Sequence, residues 1–175
     1  MQMKKAAYGF LAALISVFLY ILLHECGHLI VMLSVGATIT EFSILSAHVS
    51  AMGGNYTALS DLWLHANGVF FPVVVSWGYM VLYKKNSGNE IYILSSYLAS
   101  ILPVFSLLVW IVMPFAYIQG NAPAGDDITK FLNNFSQEYH PLLVSAVAVL
   151  LIAISVTVMV KKGIVREYLS LIGKR

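Results

Sequence analysis

Hydrophobic and polar positions fall in long blocks along this chain, without the three-to-four residue alternation of a helix that is half in water. Four apolar blocks, at 8–33, 64–83, 91–117 and 141–160, are each long enough to cross a bilayer as a helix, which takes about 20 residues. Between the first two blocks the rhythm changes. Thr38-Ile39-Thr40-Glu41-Phe42-Ser43-Ile44 alternates with period two, His48-Val49-Ser50 continues it, and Gly53-Gly54-Asn55 marks a turn before Tyr56-Thr57. This stretch predicts a small β-hairpin, with Ser60 or Asp61 capping the helix that follows. After the third block, Gln119-Gly120-Asn121-Ala122-Pro123-Ala124-Gly125 has strong turn chemistry. Asp126-Asp127-Ile128-Thr129-Lys130-Phe131-Leu132 then predicts a short amphipathic helix, with acidic residues at the end where a helix favours them. Pro103 and Pro114 each remove an amide donor from the third block and are expected to bend it, opening room beside a site.

The expected fold is therefore an all-α polytopic membrane protein of about four transmembrane helices, with a β-hairpin in the first outer connection. No repeat or linker divides residues 1–175, so a single membrane-embedded domain is expected. Composition agrees, since 59% of residues are hydrophobic and only 10% charged, against roughly 25% charged in soluble domains. The mean hydropathy is +0.82. Lys4 and Lys5 ahead of the first block resemble the start of a signal peptide. The run behind them, about 26 residues, exceeds the usual apolar core of roughly 7–15, so it is expected to be retained as a span.

Basic residues orient the spans. Lys4, Lys5, Lys84, Lys85, Lys161, Lys162, Arg166, Lys174 and Arg175 all fall on one side, leaving only Lys130 of the ten on the other. The positive-inside rule then puts both termini in the cytoplasm, with the plasma membrane as the expected location, and the hairpin and the Asp126-Asp127 segment outside. The basic groups flank apolar runs, so they report membrane orientation and exclude nucleic acid as a partner. The single cysteine, Cys26, excludes an intrachain disulfide. It is expected to be a small buried hydrophobe.

Into the first apolar block are set His24-Glu25-Cys26-Gly27-His28, an HExxH pattern. Residues four apart on a helix differ by about 40° in azimuth, so His24 and His28 share a face and are able to hold one ion. Glu25, about 100° round from His24, is placed to act as general base on a water at that ion rather than to ligate it. Zinc fits this donor set. Ionised groups deep in a bilayer cost roughly 2.5–3.5 kcal/mol even on lenient scales, which argues that these residues are functional. A catalytic zinc usually takes a third protein ligand, and Asp126 and Asp127 lie at the same depth; one is expected to ligate and the other to cap a helix. His65 is a further ligand candidate, and would close the site if it were a fourth. His48 and His140 are weaker candidates, and Glu41 and Asp61 fit solvated or capping roles. Asn67 is a candidate donor to a substrate carbonyl.

These residues resemble the intramembrane zinc metalloproteases of the site-2 protease type. The resemblance runs from His24-Glu25-Cys26-Gly27-His28-Leu29 through Gly36-Ala37-Thr38-Ile39-Thr40-Glu41-Phe42-Ser43 and Gly53-Gly54 to His65-Ala66-Asn67-Gly68, and resumes at Gly125-Asp126-Asp127. It implies Zn2+ on His24, His28 and an aspartate, with Glu25 as base, and cleavage of a membrane-associated peptide or protein. The run from Ile128 to Phe131 matches Asp127 to the family's third ligand, with Asp126 as the alternative. The chain departs from the family in having Ala-Gly-Asp-Asp-Ile around that ligand, where relatives carry Leu-Asp-Gly or Asn-Pro-x-x-Asp-Gly. It also has Ala66-Asn67-Gly68 in place of Ala-Gly-Pro, as a divergent, minimal member would. Two other classes compete: a non-catalytic accessory or binding subunit with a structural or vestigial metal site, and a transporter, which four spans without a repeat disfavour.

Overall fold

A computed structural model of the protein describes residues 2–173. The elements run α1 (Gln2–Ser34), β1 (Thr38–Ser43), β2 (His48–Met52), α2 (Ala58–Leu82), α3 (Glu90–Ile118), α4 (Asp127–Phe135), α5 (Leu142–Lys161) and α6 (Ile164–Gly173). Among the described residues, four helical stretches are long and apolar enough to cross a membrane: Ala7–Ser34, Ala58–Leu82, Glu90–Ile118 and Leu142–Lys161. The fold is thus mostly helical with one small antiparallel hairpin. Lys174 and Arg175, counted in the orientation, lie outside the described residues.

Local chemistry sets the boundaries. The second span starts at Ala58, six residues ahead of the expected 64, and its cap is Thr57 rather than Ser60 or Asp61. Thr57 Oγ1 accepts from Ser60 N at 3.2 Å while Ser60 Oγ accepts from Thr57 N at 2.8 Å. This reciprocal pair satisfies two free first-turn groups and moves the start back by one turn. In the hairpin, Thr38 pairs with Met52 and Ser43 with His48, with an irregularity between Ile39 and Glu41. The reversal falls at Ile44–Ala47, where Ala47 has φ 46°. Gly53 and Gly54 lie after β2 and lead the chain towards α2. Gly163, at φ +80°, separates α5 from α6, a helix not expected from the apolar blocks.

The bundle core is built from Val69 and Val73 of α2, Leu107 and Trp110 of α3, Ile128 and Leu132 of α4, and Val144 and Ala148 of α5. Polar ties stitch the spans: Trp77 Nε1 donates to Ser155 Oγ at 2.8 Å, and Ser145 Oγ to the Ile111 carbonyl at 2.8 Å. Such ties matter where the surrounding lipid offers no hydrogen-bonding partner. At the end away from the hairpin, Glu167 accepts from Tyr83 Oη and from Asn86 N, both at 2.8 Å, and Lys162 Nζ donates to the Val81 carbonyl at 2.8 Å. Burial and the Glu167 carboxylate together push the Tyr83 phenol well above its usual value.

α1 and α2 meet backbone to backbone. Gly27 lies against the Asn67 carbonyl with no room for a methyl group, and Asn67 Nδ2 donates to the Gly27 carbonyl at 2.7 Å. Gly27→Ala is expected to force the helices apart and cost about 1–3 kcal/mol, measured as a lower unfolding midpoint in detergent. Gly78→Ala, on the same helix pair but facing open space, is expected to leave stability unchanged or raise it by up to about 1 kcal/mol.

Candidate metal centre

Three elements bring the candidate ligands together. α1 supplies His24 and His28 from one face. α2 presents Asp61, Leu64, His65 and Gly68 to that face, and α4 delivers Asp127 at its first turn. The His24 and His28 Nε2 atoms are 3.1 Å apart. Asp127 Oδ2 lies 3.3 Å from the first and 3.1 Å from the second. Four ligands placed tetrahedrally at zinc distances stand about 3.3–3.4 Å from one another, and the edges of this triangle, 3.1, 3.3 and 3.1 Å, come close to that spacing.

Hydrogen bonding makes the fit more specific. His28 Nδ1 lies 2.7 Å from the Leu64 carbonyl, and a carbonyl only accepts, so Nδ1 carries the hydrogen. In the neutral ring Nε2 then has a lone pair, and it faces the Asp127 carboxylate oxygen. Two acceptors at 3.1 Å need a cation between them, either a proton or a metal ion. A carbonyl on the far nitrogen is also the usual way in which a ligating imidazole is oriented. Gly68 allows the approach, since a Cβ there would lie 2.5 Å from His28 Nε2 and 2.8 Å from His24 Cε1.

The two aspartates separate cleanly. Asp126 caps α4, its Oδ1 accepting from Thr129 N at 2.7 Å and its Oδ2 from Thr129 Oγ1 at 3.0 Å. Asp127 is one position further, about 100° round the helix, and faces the imidazoles. Ile128 and Leu132, buried in the core, fix the rotation of α4 that aims it. Burial pushes the Asp127 carboxyl up, but the facing His24, His28 and His65 rings outweigh this and hold it far below the usual carboxylate range.

Around the triangle lies a cavity of about 350 Å³ lined by His24, Glu25, His28, Met32, Ala47, His48, Val49, Leu64, His65, Gly125, Asp126, Asp127 and Lys130. Glu25 lines this cavity and is only 3% exposed. His65 does not join the triangle: its Nδ1 is 3.5 Å from the other Asp127 oxygen, Oδ1. Asp61 does not cap α2: its Oδ1 lies 3.9 Å from His65 Nε2 and its Oδ2 accepts from Asn134 Nδ2. Asn67, the candidate substrate donor, has its amide on Gly27. Cys26 is half-buried rather than fully buried, and neither it, Glu41 nor His140 lines the cavity. Pro103 and Pro114 are buried inside α3 and also stand apart from it. Sequence reasoning did not anticipate the wall formed by Ala47, His48 and Val49, or Lys130 on the rim.

A larger cavity of about 490 Å³, lined by apolar side chains including Trp63, Phe70, Trp110, Phe131 and Phe135, holds none of these ligands. No family model, characterised protein or solved structure matches the chain, so the site stands on its own geometry.

The separate tasks of the two aspartates are testable. Asp126→Ala is expected to lower stability by about 0.5–2 kcal/mol through loss of the cap. Asp127→Ala is expected to leave the cap and most of the stability intact, with both values read from unfolding midpoints in detergent.

Proposed function

We propose that the protein is a zinc-dependent endopeptidase that cleaves membrane-associated peptides or proteins within or beside the bilayer. The observation that carries this reading is the acceptor triangle of His24, His28 and Asp127, with Glu25 lining the same cavity. Zinc held by these three residues would supply Lewis acidity and a water acidic enough to ionise near neutral pH. Glu25 would hold a proton at its carboxylate and return it to the leaving amine nitrogen, as general base and then general acid. His28 is kept in its ligating tautomer by the Leu64 carbonyl, and Asp127 is held in place by the burial of α4. The cavity wall at β2 and the polar rim at Lys130 leave room for a peptide to approach.

The likeness to site-2 proteases supports the same assignment, including Glu25 as base. The non-catalytic reading gains support if the protein binds no zinc or if four protein ligands close the site. Among the described residues the grouped ligand atoms come from His24, His28 and Asp127, and His65 faces Asp127 instead, which favours an open fourth position. The basic residues collected at the α6 end support an orientation with both termini in the cytoplasm of the plasma membrane and the site near the outer face.

Purified protein is expected to hold about one zinc per chain. Glu25→Gln should retain the metal while peptide cleavage falls by roughly 10²–10⁴-fold, measured by metal analysis and product release from a peptide substrate in detergent or vesicles. A Glu25→Gln variant that cleaves at the parent rate would overturn the mechanism. Gly68→Ala is expected to weaken zinc binding by about tenfold or more, because its methyl group displaces both imidazoles; competition with a chromophoric chelator measures this.

A further inference from the structure

His65 stands one helical turn after Asp61 on α2, and its ring lies between two carboxylates. Nδ1 is 3.5 Å from Asp127 Oδ1, and Nε2 is 3.9 Å from Asp61 Oδ1. Nδ1 is fully buried and makes no hydrogen bond of good geometry, an expensive state for an imidazole nitrogen. It faces Asp127 Oδ1, whereas Oδ2 of the same carboxylate is the oxygen that lies against His24 and His28.

The chain of contacts continues beyond the ring. Asp61 Oδ2 accepts from Asn134 Nδ2, and Asn134 lies on α4, the helix that begins with Asp127. Both ends of this nine-residue helix are therefore latched to α2, one through His65 and the other through Asp61. A carboxylate that ligates through one oxygen remains free to rotate or to bind through both, unless the second oxygen is held. In this site the only polar group placed to hold Asp127 Oδ1, among the contacts described above, is His65 Nδ1.

We infer that His65 is a positioning residue for the metal centre: its Nδ1–H holds Asp127 Oδ1 so that Oδ2 alone faces the ion, and Asp61, tied to Asn134, flanks the ring on its other side. The inference rests on the zinc reading and adds to it the support on which the third ligand depends. A closure of a few tenths of an ångström brings the 3.5 Å contact to ordinary N–H···O length. His65 thereby acts through Asp127, not as a ligand.

Zinc affinity of the full-length protein in detergent tests this, with zinc alone as the probe and a chromophoric chelator as competitor. His65→Ala is expected to weaken binding by about 10–100-fold. His65→Asn, whose amide nitrogen takes the place of Nδ1 and does not ligate zinc, is expected to recover most of that loss. With cobalt in place of zinc, His65→Ala should shift the visible absorption of the bound ion while His65→Asn keeps the parent band. Asp61→Asn should weaken binding in the parent and add nothing in the His65→Ala background, since the two act in series.

Parent-like affinity in His65→Ala overturns the inference, as does His65→Asn binding as weakly as His65→Ala, the result expected of a true ligand. Should His65→Ala fail to fold by circular dichroism, His65→Asn and Asp61→Asn decide alone: a near-parent first variant with a weakened second supports the inference, and any other pair overturns it. His24→Ala separates the two levels. If it abolishes binding while His65→Ala is neutral, only the positioning role fails. If it binds as the parent does, or the parent binds no zinc, the zinc reading fails and takes the inference with it.

Discussion

The backbone contact between α1 and α2 at Gly27 and Gly68 is the constraint on which the rest of the site depends. An imidazole reaches only a few ångströms from its helix, so two histidines on α1 meet groups on α2 only if the axes are unusually close. Gly27 lets the Asn67 carbonyl approach, and Gly68 lets the two imidazoles lie over bare backbone. Lipid gives helices little hydrophobic reason to pair, so close packing at small residues and interhelical hydrogen bonds must hold the contact. The Asn67 amide on the Gly27 carbonyl and the His28 ring on the Leu64 carbonyl are two such bonds. The second also sets the tautomer that turns Nε2 towards Asp127, so one contact serves packing and electronic state at once.

The polar groups of the chain are divided between the two ends of the bundle. At one end the acidic and imidazole groups gather where α1 ends, α2 begins and α4 packs against α2 and α3. At the other, Lys84, Lys85, Lys162 and Arg166 stand near the α2–α3 connection and α6, with Glu167 accepting bonds from Tyr83 and Asn86. Between them the spans are tied by single hydroxyl and indole bonds buried among apolar side chains. Groups that are costly in hydrocarbon are thereby placed where they find partners.

Much of this arrangement was legible in the residues, because membrane length and period-two alternation are strong local signals. The four apolar helices, the hairpin and the short helix after Gly125 follow from them directly. Boundaries were less legible. Thr57 and Ser60 form a reciprocal cap whose geometry outranks Asp61 as a helix start, and the hairpin turns at Ala47, an alanine that carries no turn signal. α6 was missed because it is short and amphipathic, and its only marker is Gly163. For the site, the shared face of His24 and His28 is a matter of helical period, whereas the choice between two adjacent aspartates is set by the burial of Ile128 and Leu132. That burial depends on packing against α2, α3 and α5, which no local pattern encodes. The same holds for His65, whose one-turn spacing from Asp61 is visible in the chain but whose contact with Asp127 exists only once α4 has docked.

The ligands therefore differ in how firmly they are placed before any ion arrives. His24 and His28 are fixed by a continuous helix and by the carbonyl behind one of them. Asp127 is brought in by a separate helix of nine residues, too short to be stable alone in water and held by its core side chains, the Asp126 cap and contacts with α2. Joining two preset ligands to one carried by a docked element couples ion binding to the docking itself. An ion in this triangle would bridge α1 and α4, which share no other polar contact described here, and would close the gap between the two acceptors that otherwise face each other. The facing acceptors thus give the proposed zinc a structural as well as a chemical effect, since an ion held by all three would draw α4 onto the motif on α1.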